Sequence, residues 1–207
     1  MKILTIVNSV LAENTYIVYD EATLKGFIVD PGSDGERIES AIGDNGLIVD
    51  TVLLTHGHFD HAQSARFFQK KKLKVYIHKA DGEKLYSRFN LSRYTGYAFE
   101  ELHADAELSD GDIVNAAGFD IKTVFTPGHS KGGVCYYLKE HGVLFSGDTL
   151  FSDGIGRSDF YDGDFATLKN SIETRLFILD GATAVFPGHD EATTIAKERN
   201  NKDLFGV

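Results

Sequence analysis

The amino-acid sequence predicts an α/β protein in which two mixed β-sheets carry helices on their outer faces. Strand-like and helix-like segments alternate in both halves of the chain, and no low-complexity linker separates the halves. In addition, four apolar strands each run into a His or an Asp. Alternating strands and helices are typical of layered α/β folds, and 207 residues suit one domain.

The first half is predicted to form strands joined by turns and short helices. The segments KILTIV, NTYIVYD and KGFIVDPG are rich in β-branched and aromatic residues and are bounded by turn residues, which indicates strands. A helix is expected in DGERIESAIGDNG, where Asn-Gly is a stop signal. The strand IVDTVLLT, the helix HAQSARFFQKKK and the strand LKVYIH follow. The aromatic segment from Ala80 to Glu101 is expected to be irregular.

The second half is predicted to contain more strands and two helices. DIVNAAGFDIKTVFTPGH indicates two strands joined by a turn, and GGVCYYLKEHGVLFSGD indicates a hairpin that turns at His141-Gly142. DFATLKNSIETRLFIL is expected to be a helix, ATAVFPGHD a last strand and EATTIAKERNNKDLF a last helix. Cys135 lies in one of the predicted strands and is expected to be a small core residue, not a nucleophile.

Composition narrows the classes of partner. Asp and Glu outnumber Lys and Arg by 31 to 21, giving a net charge of -10, which disfavours nucleic acid. The single cysteine excludes an intramolecular disulfide and fits a reducing compartment. The N-terminal segment does not resemble a signal peptide, and no apolar run approaches the roughly 20 residues of a membrane span. We therefore expect a cytoplasmic protein with a small-molecule substrate and no membrane or nucleic-acid partner; its oligomeric state is not indicated.

Four strands end in side chains that bind metals. TVLLTHGH, TVFTPGH and TAVFPGH each lead an apolar strand into a His, and GVLFSGD leads one into an Asp. In sheet proteins with outer helices, ligands bind at the carboxyl edge of the strands. These side chains are therefore expected to meet at one edge of the fold.

The stretch THGHFDH concentrates potential ligands at this edge. It contains three of the eight histidines together with an aspartate, and His and Asp are ordinary zinc ligands. Further candidates from the other strands bring the set to His56, His58, Asp60, His61, His129, Asp148 and His189. These seven exceed the four ligands of a structural zinc and include no Cys, so they suit two divalent metals that share a carboxylate. Zinc is expected, although iron and manganese accept the same ligands.

The ordered motifs THGHFDH, TPGHSKGG, FSGDTLF and PGHDEATT resemble the metallo-β-lactamase superfamily over nearly the whole chain. The resemblance implies an αββα sandwich, formed by a single domain over residues 1–207, with a dinuclear metal centre between the sheets. It assigns His56, His58 and His129 to the first metal. It assigns Asp60, His61 and His189 to the second metal, with Asp148 as the bridge.

Within this superfamily, SGDTLF, GIGRSDFYDGD and PGHDEATTIAKERNNKD look most like the glyoxalase II branch, which hydrolyses hydroxyacyl thioesters of glutathione. Two differences concern glutathione recognition. We expect the chain to be without the additional C-terminal helical region of full-length glyoxalase II, and it carries Arg157 and Asp159 where that branch tends to have Lys and Tyr. It resembles the short, single-domain glyoxalase II-like hydrolases. The leading hypothesis is thus a dinuclear thioester hydrolase in which Asp60 binds metal and orients the attacking hydroxide.

Two other reactions use nearly the same residues. GIGRSDF also resembles the persulfide dioxygenases, in which one iron is held by two histidines and an aspartate; here these would be His56, His129 and Asp148. A lactone or phosphodiester hydrolase of the same superfamily is a further alternative. A non-catalytic binding module is disfavoured because all seven ligand positions are filled.

Several residues near the motifs have two interpretations each. Asp30 either accepts a hydrogen bond from a ligand histidine or caps a turn, and Thr55 either supports His56 or packs in its strand. Arg157 and Asp159 either bind a substrate carboxylate or pair with each other.

The irregular aromatic segment offers further candidates. Its tyrosines and phenylalanines either cover the substrate or form a packed surface flap, and its arginines are candidates for anionic substrate groups. The residues concerned are Arg88, Phe89, Arg93, Tyr94, Tyr97 and Phe99. The remaining histidines, His78, His103 and His141, are expected to lie outside the site.

Overall fold

The computed structural model describes residues 1–205. The first of its two six-stranded sheets contains strands in the spatial order β1 to β6. Strands β1 to β3 pair antiparallel, whereas β3 to β6 pair parallel. The strands are β1 (Lys2–Val7), β2 (Asn14–Tyr19), β3 (Lys25–Val29), β4 (Ile48–Leu53), β5 (Lys74–His78) and β6 (Ala106–Leu108).

The second sheet is also mixed and is built from the second half of the chain. Its strands are β7 (Ile113–Ala116), β8 (Phe119–Phe125), β9 (Val134–Leu138), β10 (Val143–Gly147), β13 (Ala184–Pro187) and β14 (Thr193–Thr194), while β11 (Leu150–Phe151) and β12 (Gly154–Ile155) form a separate hairpin. The spatial order is β14-β13-β10-β9-β8-β7. Strands β10 and β13 are parallel, and the other neighbours are antiparallel.

The helices are short. They are α1 (Gly35–Asp44), α2 (Phe59–Ala62), α3 (Ala65–Lys70), α4 (Ser92–Thr95), α5 (Phe165–Ser171) and α6 (Ile195–Arg199), and a π-helical turn at Ile172–Leu176 continues α5. Three 3₁₀ turns lie at Gly82–Tyr86, Arg88–Asn90 and Lys139–His141. Within residues 1–205, no helix has the length and apolar character that crossing a membrane requires.

The core has three layers of apolar contacts. The inner faces of the two sheets meet in a cluster that includes Val18 and Phe27 from the first sheet and Tyr136 and Phe145 from the second. Separate clusters pack α1 and α3 against the first sheet and α5 and α6 against the second. Burying both faces of each sheet is the main apolar stabilisation of the fold. The layers form an αββα sandwich, which confirms the predicted fold class.

Two predicted helices differ in detail from the structure. The helix expected in HAQSARFFQKKK is split into α2 and α3, because Ser64 is tied to the turn after β3: its N–H donates to the Pro31 carbonyl and its hydroxyl donates to the Gly32 carbonyl. The last predicted helix is shortened at its start because Thr193 and Thr194 pair with β13. The hydroxyl of Thr194 then caps α6 by accepting from the N–H of Lys197.

Candidate metal centre

The predicted ligands converge at the carboxyl edges of the sheets. His56 and His58 follow β4, His129 follows β8, and Asp148 and His189 follow β10 and β13. Asp60 and His61 lie in α2, directly after the His56–His58 loop. The inner-face packing brings these edges together, so the structure collects all seven predicted side chains in one place.

Three imidazoles form the first group of donors. Nδ1 of His58 lies 3.0 Å from Nε2 of His56 and 2.9 Å from Nε2 of His129. All three residues are buried. The three rings are nearly perpendicular to one another, and nitrogen atoms this close could hold one ion. We name this set the first trio.

A second trio, formed by Asp60, His61 and His189, lies beside the first. Nε2 of His189 is 3.4 Å from Oδ2 of Asp60, and Nε2 of His61 is 3.8 Å from the same oxygen. Asp148 lies between the trios: its Oδ1 is 3.2 Å from Nε2 of His61, and its Oδ2 is 3.5 Å from Nε2 of His129. One carboxylate oxygen thus faces each trio, which is the arrangement of a bridging ligand.

Oxygen atoms on the outer sides of the histidines orient most of the rings. Nδ1 of His61 lies 2.9 Å from Oδ2 of Asp30, and Nδ1 of His129 lies 2.7 Å from the main-chain oxygen of Arg157. Nδ1 of His56 is 3.1 Å from the Thr55 hydroxyl, and Nδ1 of His189 is 3.2 Å from a main-chain oxygen. A proton held on Nδ1 leaves the Nε2 lone pair for a metal.

Asp30 also organises the strand that precedes the ligands. Its carboxylate accepts from the N–H of Thr55 at 2.7 Å and from the hydroxyl of Thr55 at 2.6 Å, besides its contact with His61. Both residues that the sequence suggested as supports for the ligand histidines therefore lie in direct contact with one of them: Asp30 with His61 and Thr55 with His56.

The site collects several carboxyl groups out of water. Glu13, Asp30 and Asp60 are buried, and Asp148 is nearly so. Burial raises the pKa of Glu13 well above its usual value. Burial opposes the charged form of His61, but the carboxylates of Asp148 and Asp60 outweigh it and raise the His61 pKa. Burial and the neighbouring imidazoles lower the pKa of His56 and His58.

The donor set fits divalent metal ions. Buried carboxylates need a compensating positive charge, and His61 Nε2 and Asp148 Oδ1 are buried without a hydrogen-bond partner. Neutral imidazoles and carboxylates together are suitable ligands for zinc, iron or manganese. The first trio and the second trio could each hold one ion, with Asp148 shared between them.

A cavity of about 760 Å³ opens onto the two trios. His58, Asp60, His129, Asp148 and His189 line its floor, and its walls are largely apolar. The wall residues include Leu11, Tyr94, Phe151, Phe160 and Tyr161. A polar floor under apolar walls is typical of a small-molecule site.

The proposed substrate-binding residues divide into two groups. Arg157, Asp159 and Tyr94 line the cavity, whereas Arg88, Arg93 and Tyr97 are not among its lining residues. Tyr97 instead stacks on Phe59 with a ring-centroid separation of 5.6 Å.

The two remaining aromatic candidates also pack against protein. Phe89 stacks on Tyr161, and Phe99 packs against the core layer between the first sheet and its helices. Only part of this segment therefore faces the cavity.

Arg157 and Asp159 pair with each other at the mouth of the cavity. Nε and Nη2 of Arg157 lie 2.7 Å and 2.8 Å from the two oxygens of Asp159. The hydrogen bond from Arg157 lowers the pKa of Asp159 to about 2. The two side chains therefore pair with each other, as one of the two interpretations predicted. The main-chain oxygen of Arg157 contacts Nδ1 of His129.

The other three histidines belong to neither trio. Several further residues of the site lie outside the sequence motifs. His78 stacks on Phe125, His103 packs on Tyr86 and His141 packs on Phe119. The sequence-based prediction missed wall residues of the cavity such as Leu11, Phe151 and Phe160, the buried Glu13 and the pair Asp81 and Lys84. Asp81 follows β5 at the same sheet edge as the ligands, and this position was the signal available for it.

Comparison with known sequences places the chain in a family. The sequence model of the metallo-beta-lactamase superfamily matches residues 8–189. The chain belongs to the metallo-beta-lactamase superfamily, as its motifs predicted. It is a metallo-hydrolase of that superfamily, with His and Asp clusters suited to divalent metals.

Two relatives match almost over their full lengths. The chain is 34% identical to the probable metallo-hydrolase YqgX of Bacillus subtilis, covering 96% of this chain and 94% of the relative. It is 33% identical to the hydroxyacylglutathione hydrolase GloC of Haemophilus influenzae, covering 93% and 92%.

Solved structures share the architecture. The BLEG-1 B3 metallo-beta-lactamase superposes with a TM-score of 0.93 at 33% identity, covering 98% of this chain and 99% of that one. TTHA1623, in a di-iron-bound form, superposes with a TM-score of 0.86 at 30% identity, covering 96% of this chain and 98% of that one. ETHE1 from Myxococcus xanthus superposes with a TM-score of 0.83 at 27% identity, covering 100% of this chain and 85% of that one. Because similar proteins carry the names of different enzymes, the bond that is cleaved is a matter for proposal.

Proposed function

We propose that this metallo-hydrolase cleaves thioesters, with hydroxyacyl thioesters such as hydroxyacylglutathione as the first class to test. The observation that carries the proposal is the pair of donor trios that share Asp148 at the floor of an apolar cavity. The similarity to a hydroxyacylglutathione hydrolase supports the choice of substrate. The single, buried Cys135 is compatible with a reducing compartment, and we place the reaction in the cytoplasm.

Two metal ions, zinc in the first instance, account for the whole donor set. A single ion held by His56, His129 and Asp148 would leave Asp60, His61 and His189 converging beside it without an ion of their own. The unpartnered Nε2 of His61 argues for a second ion. The di-iron form of a protein 30% identical to this chain supports the same count.

When bound, the metal ions supply a nucleophile by lowering the pKa of water, and they polarise the carbonyl oxygen of the substrate. The protein positions the reactants. Oδ2 of Asp60 faces Nε2 of His61 and Nε2 of His189, and Asp60 lines the cavity. Asp60 can thus bind metal and also accept a hydrogen bond from the attacking group. The apolar walls exclude bulk water and orient the acyl group.

A thiolate leaving group fits the side chains around the donors. Apart from the seven predicted ligands, the ionisable side chains that line the cavity are Arg157, Asp159, Tyr94 and Tyr161. At neutral pH Asp159 is ionised and Arg157 retains its proton, since their pairing stabilises both charges. Burial raises the pKa of Tyr161, so it is a weak acid. A thiol has a pKa near 8.5, so a thiolate departs without a general acid, unlike the alkoxide of a lactone.

A phosphodiester is a poorer match for the cavity. Such a substrate carries a permanent negative charge, and Arg157 is the sole lining Lys or Arg among the described residues. Its guanidinium is already engaged by Asp159 through two hydrogen bonds. The balance of charge therefore favours a neutral reacting group such as a thioester.

The first test is the metal content of protein purified without chelator, measured by inductively coupled plasma mass spectrometry, together with thioester hydrolysis followed by thiol release. We expect about two metal ions per chain and turnover of S-lactoylglutathione that is lost on chelation. One iron per chain, unchanged by excess zinc or manganese and accompanied by oxygen uptake with glutathione persulfide, would contradict the proposal and favour the dioxygenase.

Matched variants separate the site from general effects of substitution. Asp60→Ala should remove most turnover, and His189→Gln should lower metal content and turnover together. His103→Gln is the control, because His103 is exposed and packs on Tyr86 outside the site. Near-normal rates in Asp60→Ala would exclude its assigned role.

A further inference from the structure

A buried carboxylate outside the ligand set connects the two loops of the first trio. Asp81 is fully buried and stands at the start of the 3₁₀ turn Gly82–Tyr86. An Asp at this position ordinarily caps its own helix, yet the Asp81 side chain makes no such bond. Its hydrogen-bonding capacity is used elsewhere.

Its three hydrogen bonds reach the ligand-bearing loops. Oδ2 of Asp81 accepts from the N–H of Gly57 at 3.0 Å and from the hydroxyl of Ser130 at 2.9 Å. Oδ1 accepts from the N–H of Gly132 at 2.8 Å. Gly57 lies between His56 and His58, and Ser130 directly follows His129. One carboxylate therefore ties together the two loops that carry the first trio.

Lys84 places an ammonium group beside this carboxylate. Its Nζ lies 3.3 Å from Oδ1 of Asp81 and 2.7 Å from Oδ2 of Asp162, and the lysine is 1% exposed. A buried carboxylate without a partner is strongly destabilising, and a neighbouring ammonium compensates it. Asp162 also accepts from the N–H of Lys131, beside the His129 loop, and it follows Tyr161 in the cavity wall.

The loops approach this pair more closely than side chains would permit. A Cβ atom on Gly57 would lie 2.6 Å from Cβ of Lys84, and one on Gly132 would lie 2.5 Å from the main-chain nitrogen of Asp81. Both glycines are therefore required by the contact with the Asp81–Lys84 turn. Because the two loops lie this close to the turn, we expect a change at Asp81 to alter the hydrogen bonds that Gly57 and Gly132 donate to it.

We propose that Asp81 is a positioning residue that fixes the separation of the His56–His58 loop from the His129 loop, so that the three imidazoles converge before metal binds. Preorganised ligands avoid an ordering cost when the metal enters. The inference rests on the metal centre of the proposed function and is independent of the substrate, so metal affinity tests it whether or not thioesters are cleaved.

The experiment is a Zn²⁺ titration of metal-free full-length protein in competition with a chromogenic chelator. Asp81→Asn keeps the shape of the side chain but replaces one acceptor by an NH₂ group that faces a donor. We expect one of the two zinc ions to bind about 10–100-fold more weakly, as is typical when a residue that orients metal ligands is lost. The control is Asp105→Asn, because Asp105 also accepts a main-chain hydrogen bond, from Val75, but touches no ligand-bearing loop.

A second variant guards against simple misfolding. Ser130→Ala removes one donor to Asp81 and should weaken the same zinc ion to a smaller extent, with the melting temperature of the metal-free protein unchanged. The double variant should bind zinc as Asp81→Asn does, because both substitutions act through one contact. Wild-type zinc affinity in folded Ser130→Ala or Asp81→Asn, or fully additive losses, would overturn the role of Asp81. Failure of the wild-type chain to bind two zinc ions would instead contradict the proposed function.

Discussion

Asp30 and His61 form a directed contact behind the second trio. Oδ2 of Asp30 lies 2.9 Å from Nδ1 of His61, while Nε2 on the other side of the same ring lies 3.2 Å from Oδ1 of Asp148. The carboxylate thus determines which nitrogen of His61 carries a proton and which one faces the predicted metal.

Asp30→Asn should therefore weaken metal binding at the second trio. An Asn side chain can place an NH₂ group beside Nδ1 of His61. This group is a donor, so it cannot accept the hydrogen bond from the Nδ1–H of His61. We expect about 10–100-fold weaker zinc binding at one of the two sites, measured by chelator competition. The control is Asp20→Asn, an exposed carboxylate that accepts from the N–H of Thr23. Equal zinc affinities in the two variants would contradict the orienting role.

Gly188→Ala should block the metal centre directly. A Cβ atom at Gly188 would lie 2.4 Å from both Oδ1 of Asp148 and Cε1 of His61. The methyl group must displace these side chains, so we expect loss of bound zinc by mass spectrometry of the purified protein. The matched substitution is Gly43→Ala in α1, where an added Cβ meets nothing within 4 Å.

The control substitution carries its own expectation. Gly43→Ala should retain both metals and raise the free energy of unfolding by roughly 0.5–1 kcal/mol, since alanine loses less backbone entropy in a helix. Urea denaturation measures this value. Full zinc content in Gly188→Ala would show that the close approach of Gly188 is not needed.

Asp159→Asn should improve the binding of anionic thioesters. Arg157 and Asp159 are both exposed, and their pairing occupies the guanidinium. Removing the negative charge leaves Arg157 free for a substrate carboxylate. An exposed ion pair contributes up to about 1 kcal/mol, so we expect KM for S-lactoylglutathione to fall by up to about fivefold, with kcat unchanged.

An uncharged thioester is the control substrate for this variant, and its KM should not change. Initial-rate measurements with both substrates make the comparison. A rise in KM for the anionic substrate would indicate that Asp159 itself contacts the substrate, for example by accepting a hydrogen bond from an ammonium group of the substrate.

Cys135 should be unreactive in the folded protein. Burial raises the pKa of its thiol to about 11, well above the ordinary value. We expect no reaction with a chromogenic disulfide reagent at pH 8 and one thiol per chain after unfolding. Thiol release by the enzyme can then be measured without interference from the protein.

The same shift predicts how stability depends on alkaline pH. The unfolded thiol loses its proton near pH 8.5, whereas the folded thiol keeps its proton up to about pH 11. Between these values the folded state binds more protons, so this group lowers stability as pH rises. Cys135→Ala should show a shallower loss of stability over that range in urea denaturation. An identical pH dependence in both proteins would contradict the shift.

The sequence by itself determined the layers of the fold and the identity of the metal donors. Alternating apolar and polar residues are typical of strands such as β8, which needs one face in the core, and β-branched and aromatic residues predict β2. The donors follow the ends of β4, β8, β10 and β13, and ligands of such folds bind at the carboxyl edge of the strands. A local pattern in THGHFDH and the repeated Pro-Gly-His were therefore sufficient to nominate residues up to 133 positions apart (His56 and His189) as one site.

Tertiary structure alone decided how that site is held and what surrounds it. Asp81 and Gly132 are 51 residues apart, and nothing in either local sequence indicates their hydrogen bond. The apolar walls of the cavity and the division of α2 from α3 depend likewise on contacts between distant segments. The pairing of Arg157 with Asp159, in contrast, joins residues two positions apart and was one of two interpretations that the sequence left open. Local sequence encodes which side chains face the core, but a hydrogen bond or cavity wall requires the relative positions of several elements at once, and only their packing sets those positions.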